Sequence, residues 1–594
     1  MFFFIVSGSC VSVIHTNLDH KARMDSYEKE NDRIRKLLEE ADVSSDETGD
    51  EDSGEEDFLE ERNASTDTEQ EISDVDSDNG IEKDDLDTYT GKDGETVWLK
   101  RELRVSGRTR AHNILTEPNC VKGSAKSAKF AKDCWKLFFD EDMMNILVEC
   151  TNKYINDNKK NCSRDRDART TSKEELFALI GLLYLAGIYK SGRQNFEDLW
   201  AQDGTGVELF HTTMSSRRFK YLLECLRFDD KSTRTERLKS DKLAPIREIF
   251  QMFVSNCQKT YSISEFGTID EMLAAFRGRC SFRQYIPSKP DKYGIKLFAL
   301  VDAQTFFTSK LEVYVGSQPD GAYKASNSPC DVVERLCSGI FGTGRNITLD
   351  NWFTSYDLAQ KMLSHQITLV GTLRKNKRQI PPEFLDLRNR GEKTSLFGFR
   401  SDSTLLSYVP KKKKNVLILS TLHNNNKIDE ETGSARKPEI VTFYNTTKGG
   451  VDTVDQMSSV YNCARNTRRW PMEIFYRLLN IASINGFIIY CKNGNEPMKR
   501  RKFLKKLCYE LVQEHLKNRT TIDSLPKQLK EKLARVTNSG EMQNEPPRSG
   551  KRQRCYNCSG TDRKTKYYCS LCYKFLCFEH AKIVCKQCFC DCEN

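Results

Sequence analysis

Three aspartates stand where carboxylates from separate elements can meet. Asp270 ends the apolar run that begins at Thr268, Asp350 follows Asn346–Leu349, and Asp452 opens a helix after two glycines. Two strand-borne carboxylates and a third on a helix packed over them would supply the oxygen ligands that Mg²⁺ prefers. Two such ions about 4 Å apart support in-line displacement at a phosphodiester. We therefore expect a site with two magnesium ions, although a turn or a helix cap explains each aspartate taken singly.

The C-terminal tail holds a second set of residues with metal-binding chemistry. Its cysteines and one histidine fall into four pairs, each with two intervening residues. The candidate ligands are Cys555, Cys558, Cys569, Cys572, Cys577, His580, Cys585 and Cys588. They suit two tetrahedral Zn²⁺ ions, and the spacing leaves open which pairs share an ion. A disulfide-linked tail is the alternative, and the histidine within the repeating pattern argues against it.

Basic residues flank the segments that carry the three aspartates. The candidate DNA contacts are Arg277, Arg279, Lys289, Lys292, Lys296, Arg374, Lys375, Arg465, Arg468, Arg469 and Trp470. The cations would bind phosphates, and an exposed indole would stack on an unpaired base, which is worth roughly 1–3 kcal/mol. The alternatives are a solvated surface charge for each cation and a core anchor at a helix start for Trp470. Several phosphate contacts would make DNA affinity fall steeply with salt.

The charge of the chain is unevenly distributed. Its 594 residues carry a formal net charge of +8, although acidic residues dominate the stretch 39–87. The remainder is therefore strongly basic, which indicates a polyanionic partner such as double-stranded DNA. We expect residues 1–115 to form an acidic, disordered arm, because such a composition buries too little apolar surface to fold. The arm would be either a solubilising tail or a competitor of DNA for the basic body.

Three features of the sequence indicate the cellular compartment. No run of about 18 consecutive apolar residues occurs, so we expect no transmembrane helix and no membrane partner. Most of the 22 cysteines scatter along the chain, as reduced thiols do in intracellular proteins. The basic cluster at residues 551–554 suits nuclear import, so we expect a nuclear protein.

The hydrophobic period changes at about residue 265. Residues 128–265 follow a helical pattern, including a helix over 176–188 behind a capping box at Ser172 and Glu175. Strands are then predicted over residues 268–270, 293–302, 310–315, 346–350, 367–372, 394–399, 404–409, 416–421 and 439–444. A helix is predicted over 355–364, and the chain is expected to be helical from Pro471 to about Val536.

Six motifs occur in one order along the chain. They are Thr268-Ile269-Asp270-Glu271, Phe276-Arg277-Gly278-Arg279-Cys280, Tyr285-Ile286-Pro287-Ser288-Lys289-Pro290 with Lys292-Tyr293-Gly294-Ile295-Lys296, Asp350-Asn351-Trp352-Phe353-Thr354-Ser355, Lys448-Gly449-Gly450-Val451-Asp452-Thr453-Val454-Asp455-Gln456-Met457, and Arg468-Arg469-Trp470-Pro471-Met472. Together they resemble the piggyBac family of DNA transposases, and the resemblance covers roughly residues 115–594.

The resemblance implies a mixed α/β fold with an RNase H-like catalytic core. A β-rich insertion would interrupt the core, an all-α dimerisation and DNA-binding domain would flank it, and a small two-zinc cross-brace domain would end the chain. The implied segments are 116–264 (helical, first part), 265–376 (catalytic, first part), 377–438 (insertion), 439–461 (catalytic, second part), 462–540 (helical, second part), 541–554 (basic linker) and 555–594 (zinc-binding domain).

The resemblance also implies an activity and roles for individual residues. Asp270, Asp350 and Asp452 match the family's catalytic carboxylates, and Asp455 matches a further carboxylate that assists them. The activity would be cut-and-paste transposition, with metal-dependent nicking, hairpin formation and joining at TTAA by a homodimer. A domesticated DNA-binding protein that no longer moves DNA is the alternative.

The family's tail implies the zinc pairing that the spacing leaves open. Cys555, Cys558, Cys577 and His580 would share one ion, and Cys569, Cys572, Cys585 and Cys588 would share the other. This tail would bind transposon-end DNA.

Overall fold

The computed structural model describes most of the chain between residues 87 and 540 and part of the tail. The described residues are 87–103, 111–159, 168–287, 289, 291–495, 498–540, 552–555, 558, 564–567 and 575–581. The acidic stretch that ends at residue 86 lies outside them. So do four predicted zinc ligands, namely Cys569, Cys572, Cys585 and Cys588.

Helices occupy both flanks of a central run of strands. In chain order they are α1 (Ala131–Lys136), α2 (Glu141–Asn158), α3 (Lys173–Ile188), α4 (Phe196–Leu199), α5 (Glu208–Thr213), α6 (Ser216–Cys225), α7 (Arg234–Arg237), α8 (Arg247–Thr260), α9 (Pro329–Cys337), α10 (Tyr356–Ser364), α11 (Glu439–Thr447), α12 (Gly450–Val460), α13 (Trp470–Lys492), α14 (Arg500–Thr520) and α15 (Lys527–Gly540). The predicted N-cap of α3 is confirmed, because the Ser172 side chain accepts a hydrogen bond from the Glu175 amide, while the Glu175 carboxylate binds Arg218 and Thr171.

The strands form one large sheet and two short ribbons. In chain order they are β1 (Thr88–Thr90), β2 (Val97–Leu99), β3 (Cys120–Val121), β4 (Tyr261–Ser262), β5 (Phe266–Ala275), β6 (Arg283–Tyr285), β7 (Tyr293–Asp302), β8 (Thr308–Val313), β9 (Asn346–Leu349), β10 (Thr368–Thr372), β11 (Ser395–Phe399), β12 (Thr404–Lys411), β13 (Lys414–Ser420), β14 (Gln553–Arg554) and β15 (Lys564–Thr565). The large sheet has 11 strands, while β3 pairs with β4 and β14 with β15.

The middle of the large sheet has the RNase H-like strand order. β8, β7 and β5 form an antiparallel meander, and β9 and β10 continue the sheet parallel to β5. Parallel neighbours need a crossover connection, which helices α9 and α10 provide. These five strands place β5 beside β9, the two strands that carry or precede Asp270 and Asp350.

The insertion extends this sheet instead of forming a separate one. β13 pairs antiparallel with β10, and β12 and β11 follow outward. Beyond them the β1–β2 hairpin adds to β11 through Leu99 and Phe399. Trp98 of this hairpin is buried against Phe384 and Leu405. The expectation of disorder through residue 115 is therefore wrong for β1 and β2, because the insertion offers them a partner strand and an apolar pocket.

Residues 439–444 were expected to be a strand and instead begin helix α11. Their β-branched and aromatic side chains favour a strand locally. In the fold, however, Ile440, Phe443, Tyr444 and Thr447 are buried, and this spacing is that of one helical face. Packing of that face on the sheet, next to Phe266 and Val370, outweighs the local propensity.

The flanking helices pack around the long buried helix α13. Trp135 of α1 donates a hydrogen bond from Nε1 to the Tyr184 hydroxyl (2.7 Å), and that hydroxyl donates to the carbonyl oxygen of Leu479 in α13 (2.5 Å). α13 is long and apolar enough to cross a membrane by length and composition, but 89% of its apolar window is buried inside the protein. Its hydrophobic residues thus have partners within the fold.

The chain divides into two compact units. The first comprises residues 1–195 and 217–511, within its described parts, and contains the large sheet. The second comprises residues 196–216 and 512–594, again within its described parts. In the second unit, His515 Nε2 lies 3.1 Å from the Thr213 carbonyl oxygen, which also accepts a hydrogen bond from Arg519.

Candidate active site and metal centre

The first two aspartates are brought together by strand register. Thr268 of β5 pairs with Thr348 of β9, and Ile269 pairs with Leu349. Asp270 and Asp350 come next on these two strands, and side chains two residues apart share a face of a sheet. Both carboxylates therefore lie on the face that Thr268 and Thr348 present to helix α11.

The third aspartate lies on the first turn of the helix that covers this face. Helix α12 begins at Gly450, and Asp452 lies in its first turn. A Cβ added at Gly450 would come within 2.6 Å of the Thr268 Oγ1 atom, so only glycine allows this close approach. The approach places the start of α12 directly against β5, two residues before Asp270.

Neighbouring carboxylates influence the protonation of Asp270 and Asp350. Burial raises the pKa of Asp270 well above its ordinary value, and the charges of Glu271, Asp350 and Asp452 raise it further. Burial also raises the pKa of Asp350 to about 6, with Glu271 as the next contribution. Backbone amides of Trp352 and Phe353 oppose this by donating to Asp350 Oδ1 at 3.0 and 3.3 Å. A divalent cation would relieve this excess of negative charge, and carboxylate oxygens are the ligands that Mg²⁺ prefers.

Lys289 supplies the cation that the structure shows beside Asp452. Its Nζ atom donates to Asp452 Oδ1 at 2.9 Å. The lysine side chain is 15% exposed, whereas that of Asp452 is 64% exposed. Burial lowers the pKa of Lys289, but Asp452 and Asp270 outweigh burial and hold it above the ordinary value. The sequence predicted Lys289 as a phosphate contact, and the structure places it among the aspartates.

Asp455 has a different partner from the other three aspartates. Its Oδ1 atom accepts a hydrogen bond from Arg477 of helix α13 at 2.6 Å. The same guanidinium donates to the Leu273 carbonyl oxygen of β5 at 2.9 Å. Asp455 thus ties α12 to α13 and to the strand that carries Asp270, and the structure gives it a positioning contact.

Glu271 is a further carboxylate near the three aspartates, and the sequence analysis did not identify it as a site residue. It is 2% exposed and forms an ion pair with Lys296 at 3.1 Å. Its backbone amide donates to Asp270 Oδ1 at 2.8 Å. Lys296 also lies over the ring of Trp352, 5.0 Å from its centroid. The sequence could have pointed to Glu271, because it follows Asp270 directly. Only the pairing of β5 with β7 reveals that Lys296 is its partner.

Six of the predicted DNA contacts are exposed or half-buried in the structure. Arg277, Arg279, Lys292 and Arg468 are exposed, as phosphate contacts must be. Arg374 and Lys375 are half-buried, and Arg374 Nε donates to the Asn351 side-chain oxygen beside Asp350 (3.3 Å). These residues remain candidates for DNA binding.

Three other predicted DNA contacts have side chains that bind other residues of the protein. Lys296 is 9% exposed and paired with Glu271. Arg469 donates to the carbonyl oxygens of residues 223, 224 and 226, where helix α6 ends, and burial lowers its pKa to about 10. Arg465 donates to the Ser191 carbonyl oxygen at 2.5 Å. Lys296, Arg465 and Arg469 thus have partners within the protein, and their binding to phosphates stays a prediction.

Trp470 lies at the edge of a cavity of about 350 Å³ at the start of α13. Its ring meets that of Phe282 edge to face, with centroids 5.0 Å apart. The cavity is also lined by Phe228, Lys242 and Arg469. Trp470 is half-buried, so its indole packs against the protein and also leaves part of its surface exposed.

The tail contains a compact group of metal-ligand side chains. The ligand atoms of Cys555, Cys558, Cys577 and His580 all lie within 4.8 Å of one another, the one such group among the described residues. The Cys577 and Cys558 sulfurs are 3.7 Å apart, and His580 Nδ1 lies 3.3 Å from Cys577 Sγ. Tetrahedral Zn²⁺ with Zn–S bonds near 2.3 Å separates its sulfurs by about 3.7 Å. These four residues therefore fit a structural zinc ion.

Comparison with known proteins agrees with this geometry. A family model described as Transposase IS4 matches residues 131–487. The human PiggyBac transposable element-derived protein 3 is 20% identical over 396 residues, 64% of this chain and 64% of that protein. The chain thus spans a little under two thirds of that relative's length. The human PiggyBac transposable element-derived protein 2 is 22% identical over 451 residues, 70% of this chain and 71% of that protein.

A solved structure supports the same assignment. The cryo-EM structure of a piggyBac transposase synaptic complex with hairpin DNA matches with a TM-score of 0.67 and 35% sequence identity. The match covers 79% of this chain and 100% of that chain. Family model, relatives and solved fold converge, and the chain belongs to the piggyBac family of transposases.

Proposed function

We propose that this protein is a cut-and-paste DNA transposase whose Asp270, Asp350 and Asp452 bind two Mg²⁺ ions. The observation that supports the proposal is the pairing of β5 with β9 up to Ile269 and Leu349, the residues just before Asp270 and Asp350, together with the close packing of Gly450, at the start of the helix that bears Asp452, on Thr268. Family membership gives these carboxylates a nucleic-acid substrate. When bound, the two ions would activate the attacking hydroxyl and stabilise the leaving oxygen of a phosphodiester.

The proposed reaction sequence needs no covalent protein intermediate. Water attacks one strand at each transposon end and releases a 3′-hydroxyl. That hydroxyl attacks the opposite strand to form a hairpin, and after hairpin opening the 3′-end joins a TTAA target. In each step the three carboxylates hold the metals, and the exposed cations Arg277, Arg279 and Lys292 hold the DNA backbone.

The proposal extends to partners and compartment. Double-stranded transposon ends and a TTAA target are the DNA partners, and the solved relative is a synaptic complex with hairpin DNA. Two ends must be cut together, so we propose a homodimer acting in the nucleus. The tail would bind two structural Zn²⁺ ions, the first at Cys555, Cys558, Cys577 and His580, and would contact end DNA.

A second candidate function is binding of DNA without transposition. The names of the human relatives, which describe proteins derived from transposable elements, favour this alternative. The presence of all three aspartates favours an active enzyme, because a chain relieved of catalysis has no physical need to keep three carboxylates whose charges repel.

An excision assay separates the two functions. A donor plasmid would carry the DNA that flanks the gene, including any TTAA-bordered inverted repeats, around a marker. The proposal predicts marker excision that restores TTAA and depends on the protein. Sequence-specific binding of the same ends without excision would instead establish the DNA-binding function.

A further inference from the structure

Three buried threonines link strands β5 and β9 to the end of helix α11. Thr268 on β5 donates from Oγ1 to the Thr447 carbonyl oxygen at the end of α11 (2.6 Å). The hydroxyls of Thr348 on β9 and Thr447 lie 2.7 Å apart. The Thr447 hydroxyl also donates to the Phe443 carbonyl oxygen (2.8 Å), so the proton between the two threonines comes from Thr348. These three residues are called the threonine cluster below.

Each member of the threonine cluster stands just before one of the three aspartates. Thr268 and Thr348 are paired across the strands and precede Asp270 and Asp350 by two residues on the same face. Thr447 precedes Asp452 by five residues, across the turn where Gly450 packs on Thr268. The cluster therefore connects β5 and β9 with the end of α11, and a short turn leads from there to α12, which carries Asp452.

The threonine cluster is polar in an interface that is otherwise mostly apolar, with one further polar contact between Thr372 Oγ1 and the Tyr444 hydroxyl (3.4 Å). Its members are 2% exposed or less, and the neighbouring contacts of α11 with the sheet are made by apolar side chains such as Phe266, Val370 and Phe443. Valine would fill the same volume, so packing alone does not require hydroxyls. Directional hydrogen bonds, in contrast, restrict the sliding of a helix over a sheet, which apolar contacts permit.

We propose that Thr268, Thr348 and Thr447 are positioning residues that set the distance of Asp452 from Asp270 and Asp350. The inference rests on the proposed metal-dependent function, since positioning matters for ligands that must meet at one pair of ions. Displacements near 1 Å in such a site cost about 100-fold in rate. Loss of a cluster hydroxyl should therefore weaken metal binding and nicking more than it weakens the fold.

The decisive variants differ by one hydroxyl at constant volume. Thr348→Val removes the donor to Thr447 and leaves the Thr447 proton on the Phe443 carbonyl oxygen, so no donor is stranded. Thr348→Ser keeps the hydroxyl. Thr368→Val is the stability control, because Thr368 is also fully buried but lies at the start of β10, where its hydroxyl accepts from Asn346 Nδ2, so the valine leaves that buried donor without a partner. Thr447→Val and Thr447→Ser repeat the comparison from the helix side.

Two measurements test the inference. Mn²⁺ binding to the full-length protein, followed by electron paramagnetic resonance, should weaken at least threefold in both valine variants. Single-turnover nicking of an end-DNA duplex should slow about 10-fold or more, with a higher Mg²⁺ requirement. The serine variants should match the wild type within about threefold, with DNA affinity and melting temperature preserved. Thr368→Val should lower the melting temperature, because Asn346 loses its acceptor, and should keep Mn²⁺ binding and nicking within about threefold of the wild type.

Three results have distinct meanings. Valine variants that bind Mn²⁺ and nick as the wild type does would overturn the inference. A loss of activity in proportion to a fall in melting temperature, shared by Thr368→Val, would overturn it in favour of a purely structural role. Wild-type protein that binds Mn²⁺, with the predicted loss in the valine variants, but nicks no DNA would refute the proposed function and leave the positioning role standing.

Discussion

Lys289 and Asp452 form an ion pair, with 2.9 Å between Nζ and Oδ1. The lysine side chain is largely buried, whereas the aspartate side chain is largely exposed. A cation at this place neutralises part of the charge that Asp270, Asp350 and Asp452 share. It also competes with any metal ion that approaches Asp452.

Removal of this lysine charge should make metal binding easier. In Lys289→Met, the Mg²⁺ concentration that gives half-maximal nicking should fall about three- to fivefold, as expected for an ion pair worth at most about 1 kcal/mol. Lys292→Met, three residues away and exposed, is the control and should leave this concentration unchanged. An unchanged or increased Mg²⁺ requirement in Lys289→Met would contradict the competition.

Salt dependence should distinguish the exposed from the buried cations. The double variant Arg277→Ala, Arg279→Ala should reduce the slope of log affinity against log salt by about 0.9 per lost phosphate contact. Lys296→Met should leave that slope unchanged but lower the free energy of unfolding by about 3 kcal/mol or more, because buried Glu271 loses its partner. Filter binding at four salt concentrations and urea unfolding provide the measurements. A changed slope in Lys296→Met would return this lysine to the DNA surface.

The sequence predicted the strands better than the fates of individual cations. Residues 293–302 were expected to be a strand and form β7 with those same bounds, because a long β-branched and aromatic run has few alternatives. Lys296 lies within that strand, and nothing local reveals that Glu271 on β5 neutralises it. Its burial follows from the register of two strands, which pairs Leu273 with Lys296 and Glu271 with Phe298.

Long-range partners also explain the other departures from expectation. The β1–β2 hairpin is short and follows an acidic stretch, and it is ordered because β11, nearly 300 residues later, accepts it. Arg469 belongs to a basic motif that suggests phosphate binding, yet the end of helix α6 presents three carbonyl oxygens to it. The three aspartates were singled out because the motifs around them extend over many consecutive residues, and their catalytic role stays a prediction.

A buried ion pair in the helical region should make stability sensitive to acid. Arg218 donates to both oxygens of Glu175, and the two side chains are 7% and 5% exposed. Burial raises the pKa of Glu175, but Arg218 outweighs burial and lowers the pKa to about 2. A lowered folded-state pKa stabilises the protein above the unfolded value near 4.5, and this stabilisation is lost as the pH falls toward 2.

Glu175→Gln should therefore lower the free energy of unfolding by about 3 kcal/mol at pH 7. The difference from the wild type should shrink as the pH is lowered from 5 to 3. Glu141→Gln is the comparison, because Lys136 and Lys173 also lower the pKa of Glu141 to about 2, but its side chain is 51% exposed. Its loss should cost less than about 1 kcal/mol. Equal costs in urea unfolding would contradict the distinction by burial.

Zinc content should report the two metal sets of the tail. The purified wild type should contain two equivalents of Zn²⁺ by mass spectrometry, and Cys577→Ser should contain one, because it breaks the group with Cys555, Cys558 and His580. Cys463→Ser, which changes a buried cysteine of the first unit, is the control and should keep both equivalents. Full zinc content in Cys577→Ser would contradict the assignment.

The central claim is that Asp270, Asp350 and Asp452 together hold the metals that cut DNA. The most direct measurement is single-turnover nicking of a transposon-end duplex by the wild type and by Asp270→Asn, Asp350→Asn and Asp452→Asn, with end-DNA affinity measured in parallel. We expect each variant to bind the duplex with wild-type affinity and to nick it at least 1,000-fold more slowly, a loss of about 4 kcal/mol of transition-state stabilisation. Nicking at the wild-type rate by any one of the three would contradict the account.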